Sequence, residues 1–157
     1  MTKKKDGPKY WIFKCSPDKY DIDGRIADPE AETSWRVTRY ENEMRVGDTV
    51  FIWRCGPIQQ RGIVAIMNIE SNPQQMEEIE LERKYIKDNN VSTMCRVKGR
   101  FMGRFFNIPC TDLMKIPELS NLSVFHGFQQ ATNYRVTLNE GGWIMKMICE
   151  HLKGGKL

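Results

Sequence analysis

Apolar residues fall in short runs separated by polar breaks, which is the pattern of a chain rich in strands. Tyr10-Trp11-Ile12-Phe13-Lys14-Cys15 has strand composition and is broken by Ser16-Pro17-Asp18. Residues 18–33 are polar and read as loop with room for a short helix, and Trp35 stands directly after them. Val46-Gly47-Asp48 reads as a turn into Thr49-Val50-Phe51-Ile52-Trp53, an unbroken apolar run of the kind buried on both faces. Gly62 to Ile69 is a second such run, and Pro57 to Arg61 is short enough to join the two as a hairpin. Asn72-Pro73 stops that strand. Residues 74–87 are polar, a short helix or an excursion. From Val91 to Lys98 apolar and polar residues alternate, which predicts a strand with Arg96, Lys98 and Arg100 on one face. Gly99 and Gly103 suggest a bend around Phe101, Phe105 to Ile108 one more short strand, and Pro117-Glu118-Leu119 a helical turn. Asn133 to Val136 reads as the last strand. Thr137 and Glu140 form a capping-box pattern that starts a helix at Leu138, with Ile144, Met147, Ile148 and Leu152 on one face and Gly154-Gly155 at its end. The sum is α+β: about six strands in a small, curved, partly closed barrel, flanked by short helices and a C-terminal helix.

Length and composition narrow the class. With 157 residues, 40% of them hydrophobic, the chain suits one domain with one ordinary core, expected over 10–153 between a flexible basic lead (1–9) and a tail (154–157). No secretion signal follows the Lys cluster at the N-terminus and no apolar run approaches membrane-spanning length. A cytoplasmic protein without membrane contact is the expectation. The 24 Lys and Arg against 20 Asp and Glu only permit a nucleic-acid partner, but the charge is segregated. Six acids and three bases lie between Glu70 and Asp88, and four bases and no acid between Arg96 and Arg104. The basic strand is thus either a phosphate track or a solvated sheet face.

Candidate chemistry is sparse. The five cysteines (Cys15, Cys55, Cys95, Cys110 and Cys149) have no zinc-site spacing and suit reduced, mostly packed thiols. The two histidines fit a helix C-terminus (His151) and a structural or rim position (His126) better than catalysis. No Walker loop, GxGxxG or HExxH occurs, so no cofactor or metal is expected, and a binding module is a better reading than an enzyme. Trp11 and Trp143 read as packing residues. Trp35 and Trp53, each followed by an arginine near the end of an element, are either half-buried core or walls of a pocket for a planar ligand.

Three stretches resemble the EVE domain of the PUA-like group, related to YTH domains. They are Tyr10 to Asp18; Ser34 to Tyr40 with Met44 to Gly56 and Arg61 to Ala65; and Gln129 to Leu138, the likeness spanning roughly 10–150. The second is similar to the variant found alone and fused to nucleases in modification-dependent restriction systems. Residues 73–90 match no pattern of the family. The resemblance implies a reader of a modified base in DNA or RNA, flipped from a duplex or held in a single strand: methylated or hydroxymethylated cytosine, or N6-methyladenine. It also allows a separately encoded nuclease as partner. The resemblance implies a pocket of Ser16, Asp18, Tyr20, Trp35 and Trp53, with Trp35 as the stacking wall. Phosphates would fall to Lys14, Arg36, Arg39, Arg54, Arg96, Lys98, Arg100 and Arg135. The alternatives are a general RNA-binding module in tRNA or rRNA handling and a small enzyme acting on a nucleotide or another small molecule.

Overall fold

The computed structural model describes residues 7–87, 92–103, 105–126 and 131–154. The expected lead and tail therefore lie mostly outside the described residues, as do Val91, Arg104, Gln129 and Gln130. The elements are β1 (Tyr10–Cys15), α1 (Ile22–Ala27), β2 (Glu32–Arg36), β3 (Thr49–Arg54), β4 (Gly62–Ile69), β5 (Gln74–Met76), α2 (Glu80–Arg83), β6 (Met94–Phe101), β7 (Ile108–Pro109), α3 (Cys110–Met114), a 3-10 turn at Pro117–Leu119, α4 (Ser123–His126), β8 (Asn133–Val136) and α5 (Leu138–Gly154). Six strands form one path, β2-β6-β4-β3-β1-β8, with β5 added to β6 and β7 to β4. The pairs on this path are antiparallel except β1 with β3. The result is the expected α+β, PUA-like architecture, a curled mixed sheet with short helices and a C-terminal helix.

The unbroken apolar runs are explained by two cores, one on each face of the sheet. Trp11, Phe13, Val50, Ile52, Met67 and Val97 fill the concave side. Ile12, Phe51, Ile63, Ile66, Tyr134 and Ile144 pack on the other, under α3 and α5. The register of β3 with β4 shifts between Ile52 and Trp53, which leaves Val64 as an extra residue. That bulge turns both Val64 and Ala65 into the concave core and lets Ile63 and Ile66 face the helices.

The predicted capping box is present: Glu140 accepts from the Thr137 backbone N–H at 2.9 Å and its own N–H donates to Thr137 Oγ at 3.1 Å. Gly141 has a packing reason. A Cβ there would lie 2.1 Å from the Tyr10 ring, which stacks on Phe51.

β2 is a strand that the polar run of 18–33 concealed. Its buried residues, Thr33 and Ser34, are hydroxyls, and each donates to a carboxylate of the segment after β5: Thr33 to Glu82, and Ser34 to Glu78 at 2.8 Å. The backbone N–H of Ile79 also donates to Ser34 Oγ at 3.1 Å. This acidic segment thus covers the outer edge of β2 at its start. Just beyond the end of β2 a different closure operates. The buried Asn133 of β8 accepts from the Thr38 backbone N–H at 2.8 Å and donates from Nδ2 to the Arg36 carbonyl at 3.2 Å. Arg39 donates twice to the Asn133 carbonyl, at 3.1 and 2.9 Å. The two ends of the curled sheet are therefore joined by a side-chain seam, and Trp35 lies between the seam and the acidic cover.

Candidate functional site

Around that gap is a cavity of about 980 Å³ that runs over the C-terminal ends of β1 and β3. On the barrel side it is lined by Phe13, Cys15, Tyr20 and Trp35, and on the helix side by Trp53, Cys55, Phe125 and Tyr134. Trp35 is half-buried, and its ring centroid lies 5.3 Å from that of Tyr20 at a 60° tilt. Tyr20 is held by a 2.6 Å hydrogen bond from its hydroxyl to Glu82. Glu82 is fully buried and also accepts from Arg25 Nε at 2.9 Å and from Thr33. Burial and this carboxylate push the Tyr20 hydroxyl far above its usual range, so it stays a neutral donor. The Glu82–Arg25–Thr33 cluster thereby fixes the ring that sits against Trp35.

The cavity's polar groups are Ser16, Ser34, Glu78 and Thr132, and its cations Lys14, Lys19, Arg36, Arg61 and Arg96. Lys19, Arg36 and Arg61 are exposed at its rim. Lys14 reaches the Tyr134 hydroxyl at 3.3 Å. The thiols of the cavity are not activated. Burial pushes Cys15 up to about 12 and raises Cys55 and Cys110 as well, which keeps them in the unreactive thiol form at neutral pH.

Among the expected pocket residues, Ser16, Tyr20, Trp35 and Trp53 come together. Trp53 is 2% exposed and packed edge-on against Phe125, so it is a floor of the helix-side core rather than an open wall. Asp18 is exposed and outside the lining, because the turn after Ser16 carries it away.

The basic strand needs more correction. Arg96 is 2% exposed; its Nε lies 2.8 Å from Glu78 and its Nη1 donates to the Met76 and Ser92 carbonyls. Lys98 and Arg100 are exposed, but Arg100 lies 3.5 Å from Glu70. The acidic and basic segments neutralise one another within the fold, and no continuous basic face of Arg96, Lys98 and Arg100 forms. Arg39 is consumed by the seam. Arg54 pairs with Asp23 at 2.9 Å, and Arg135 pairs with Glu43 while covering the Tyr40 ring at 4.3 Å. None of these three lines the cavity; of the expected phosphate residues, Lys14, Arg36 and Arg96 do.

Sequence reasoning missed Lys19, Arg61, Ser34 and Glu78. Lys19 and Arg61 lie in turns that carried no periodic signal. Glu78 lies in the segment that matched no family pattern. His126, near the Ser120 carbonyl at 2.9 Å, and His151, beside Phe106, are both outside the cavity, in keeping with structural roles. Among the described residues no cluster of three or more metal-ligating side chains occurs, and no helix is long and apolar enough to cross a membrane.

A curled six-strand path capped by a C-terminal helix, with an aromatic cavity at the mouth of the barrel, defines a PUA-like domain. The chain belongs to the EVE domain family, whose profile matches residues 9–147. A hypothetical protein from Leishmania major superposes with a TM-score of 0.67 at 19% identity, over 93% of this chain and 98% of its own. Human THYN1 protein, solved in complex with DNA containing 5-methylcytosine, superposes with a TM-score of 0.60 at 18% identity, over 88% and 96%. A point mutant of the ZmASCH protein from Zymomonas mobilis does so with 0.52 at 9%, over 88% and 98%. No curated protein sequence gives a significant match.

Proposed function

We propose that this protein is a non-catalytic reader of a modified base in nucleic acid. The base enters the barrel-side cavity and stacks on Trp35, with Ser16, Ser34 and Glu78 at its edge. Lys19 and Arg36 at the rim hold the flanking phosphates, with Arg61, whose Nε and Nη2 donate to the Gly56 carbonyl, adding its charge and its remaining Nη1, in place of the strand face of Arg96, Lys98 and Arg100. The observation that carries the reading is Trp35 at the wall of a cation-rimmed cavity, packed against a Tyr20 ring that is held by its hydrogen bond to Glu82. A large, largely pre-formed cavity with few polar groups is the usual form of a small-ligand site. Family membership and the methylcytosine-DNA complex of the THYN1 neighbour support the same reading.

The test is fluorescence anisotropy with matched duplexes and single strands. One set is plain, and the others carry 5-methylcytosine, 5-hydroxymethylcytosine or N6-methyladenine. One modification should bind at least about tenfold tighter than the plain strand. Trp35→Ala should remove roughly 1–3 kcal/mol of that binding, the value of one aromatic stack. Equal binding to all strands, or a folded Trp35→Ala variant with unchanged affinity, refutes the reading.

A further inference from the structure

We propose that Glu78 is a specificity-determining residue that selects bases with an exocyclic N–H at the cytosine N4 or adenine N6 position, against thymine or a dimethylated adenine, by accepting a hydrogen bond from that N–H. This rests on the base-reading function above and concerns the edge of the base rather than its face.

Glu78 lines the cavity and is 14% exposed. Its two contacts both fall on one oxygen: Oε1 accepts from Ser34 Oγ at 2.8 Å and lies 2.8 Å from Arg96 Nε. Oε2 has no hydrogen-bond partner among the described residues. Arg96 is buried and tied to the Met76 and Ser92 carbonyls, so it is a fixed charge behind the carboxylate. Ser34, which orients Oε1, immediately precedes Trp35 on β2. One oxygen is thus clamped close to the stacking residue, while the other remains to meet a ligand.

An ionised carboxylate only accepts hydrogen bonds. It matches the N4 amine of cytosine or the N6 amine of adenine, and at the same position meets the O4 of thymine lone pair to lone pair. Sites built to pair a polar group discriminate strongly, because the wrong partner leaves a buried group unpaired. The acidic segment therefore does more than cover the edge of β2. It supplies the group that reads the base.

The decisive comparison uses bases that stack alike and differ at the edge. Identical single strands carry 5-methylcytosine, thymine, N6-methyladenine or N6,N6-dimethyladenine at one position. Thymine has the same 5-methyl group as 5-methylcytosine with a keto oxygen in place of the amine, and the dimethylated adenine has no N–H. The wild-type protein should bind its preferred amine base at least about tenfold tighter than the counterpart without the N–H. Glu78→Gln, checked for folding by circular dichroism, should bring that ratio to within about threefold, since an amide can accept or donate. The wild-type comparison stands even if the variant does not fold. Equal binding of both members of a pair, with Trp35→Ala still lowering affinity, overturns the role of Glu78 and leaves the reader intact. Binding that ignores the central base in every strand overturns both.

Discussion

Asn133 makes the closure of the barrel a measurable quantity. It is fully buried, and Asn133→Ala removes the partners of two backbone groups, the Thr38 N–H and the Arg36 carbonyl. The Thr38 and Thr132 hydroxyls also reach Asn133 Oδ1, but they lie 2.9 Å from each other and keep that contact. Two orphaned backbone groups at about 1–3 kcal/mol each set the scale. Thr38 and Arg36 are exposed, so water can reach part of the seam and the lower half of the range applies. The expected loss is about 2–4 kcal/mol, a large share of a typical stability of about 5–15 kcal/mol. Urea unfolding followed by tryptophan fluorescence should give this value, with a fall in Tm of roughly 4–16 °C for a chain of this size. Asn133→Asp keeps the acceptor for Thr38 but not the donor to the Arg36 carbonyl, so it should differ from the wild type chiefly at that carbonyl and from Asn133→Ala at the Thr38 N–H. If Asn133→Ala unfolds within about 0.5 kcal/mol of the wild type, the surface-substitution range, the seam does not hold the barrel closed.

Two further outcomes follow from the same geometry. Adjacent glycines in α5 should respond with opposite signs to alanine in thermal unfolding. Gly142→Ala meets nothing within 4 Å and should gain up to about 1 kcal/mol from helix propensity, while Gly141→Ala drives a methyl into the Tyr10 ring and should lose stability. A gain at Gly141 would refute the close packing of Tyr10 on α5. The base preference should also depend on pH. Burial raises Glu78 above its ordinary value of 4.5, with Glu82 adding to the rise and Ser34, Arg96 and Arg36 opposing it. Anisotropy titrations between about pH 8 and pH 5 should show the amine preference fading as Glu78 gains a proton and becomes a donor, at a higher pH than for a free carboxylate. Its effect on stability has the opposite sense, present below the unfolded value and lost as pH rises through the folded one. A preference constant over that range, or one that fades equally in Glu78→Gln, would remove Glu78 as the titrating group.

The elements held by apolar contacts were legible in the sequence. β1, β3, β4 and α5 carry runs or stripes buried chiefly by hydrophobic packing, and β8 adds Tyr134 and Val136 to the same core. β2 was not legible, because its inward residues are hydroxyls whose partners come from a segment more than forty residues away. Trp35 and Tyr20 could be placed in the site through family resemblance, whereas Glu78 could not, since its segment matches no pattern. The arginines were the weakest point. A cation on an alternating strand reads as a surface charge, but Arg96 is buried by a carboxylate that alternation does not reveal, and Arg39 serves as a tie between strands. Charge counted along a chain does not show which charges the fold spends on itself.

The sheet also places a constraint on how the molecule is made. β1 lies in the interior of the strand order, paired with β3 on one side and with β8 on the other. β1 therefore cannot complete its pairing during synthesis until β8 has followed, and the joining of β8 to β1 is a contact of long sequence separation. Such topologies fold slowly, because the entropy of closing a long loop is lost before the contact rewards it. A chain that stops short of β8 leaves β1 with an unpaired edge and without the α5 helix that covers its outer face, a nascent state with reason to associate with itself or with a chaperone.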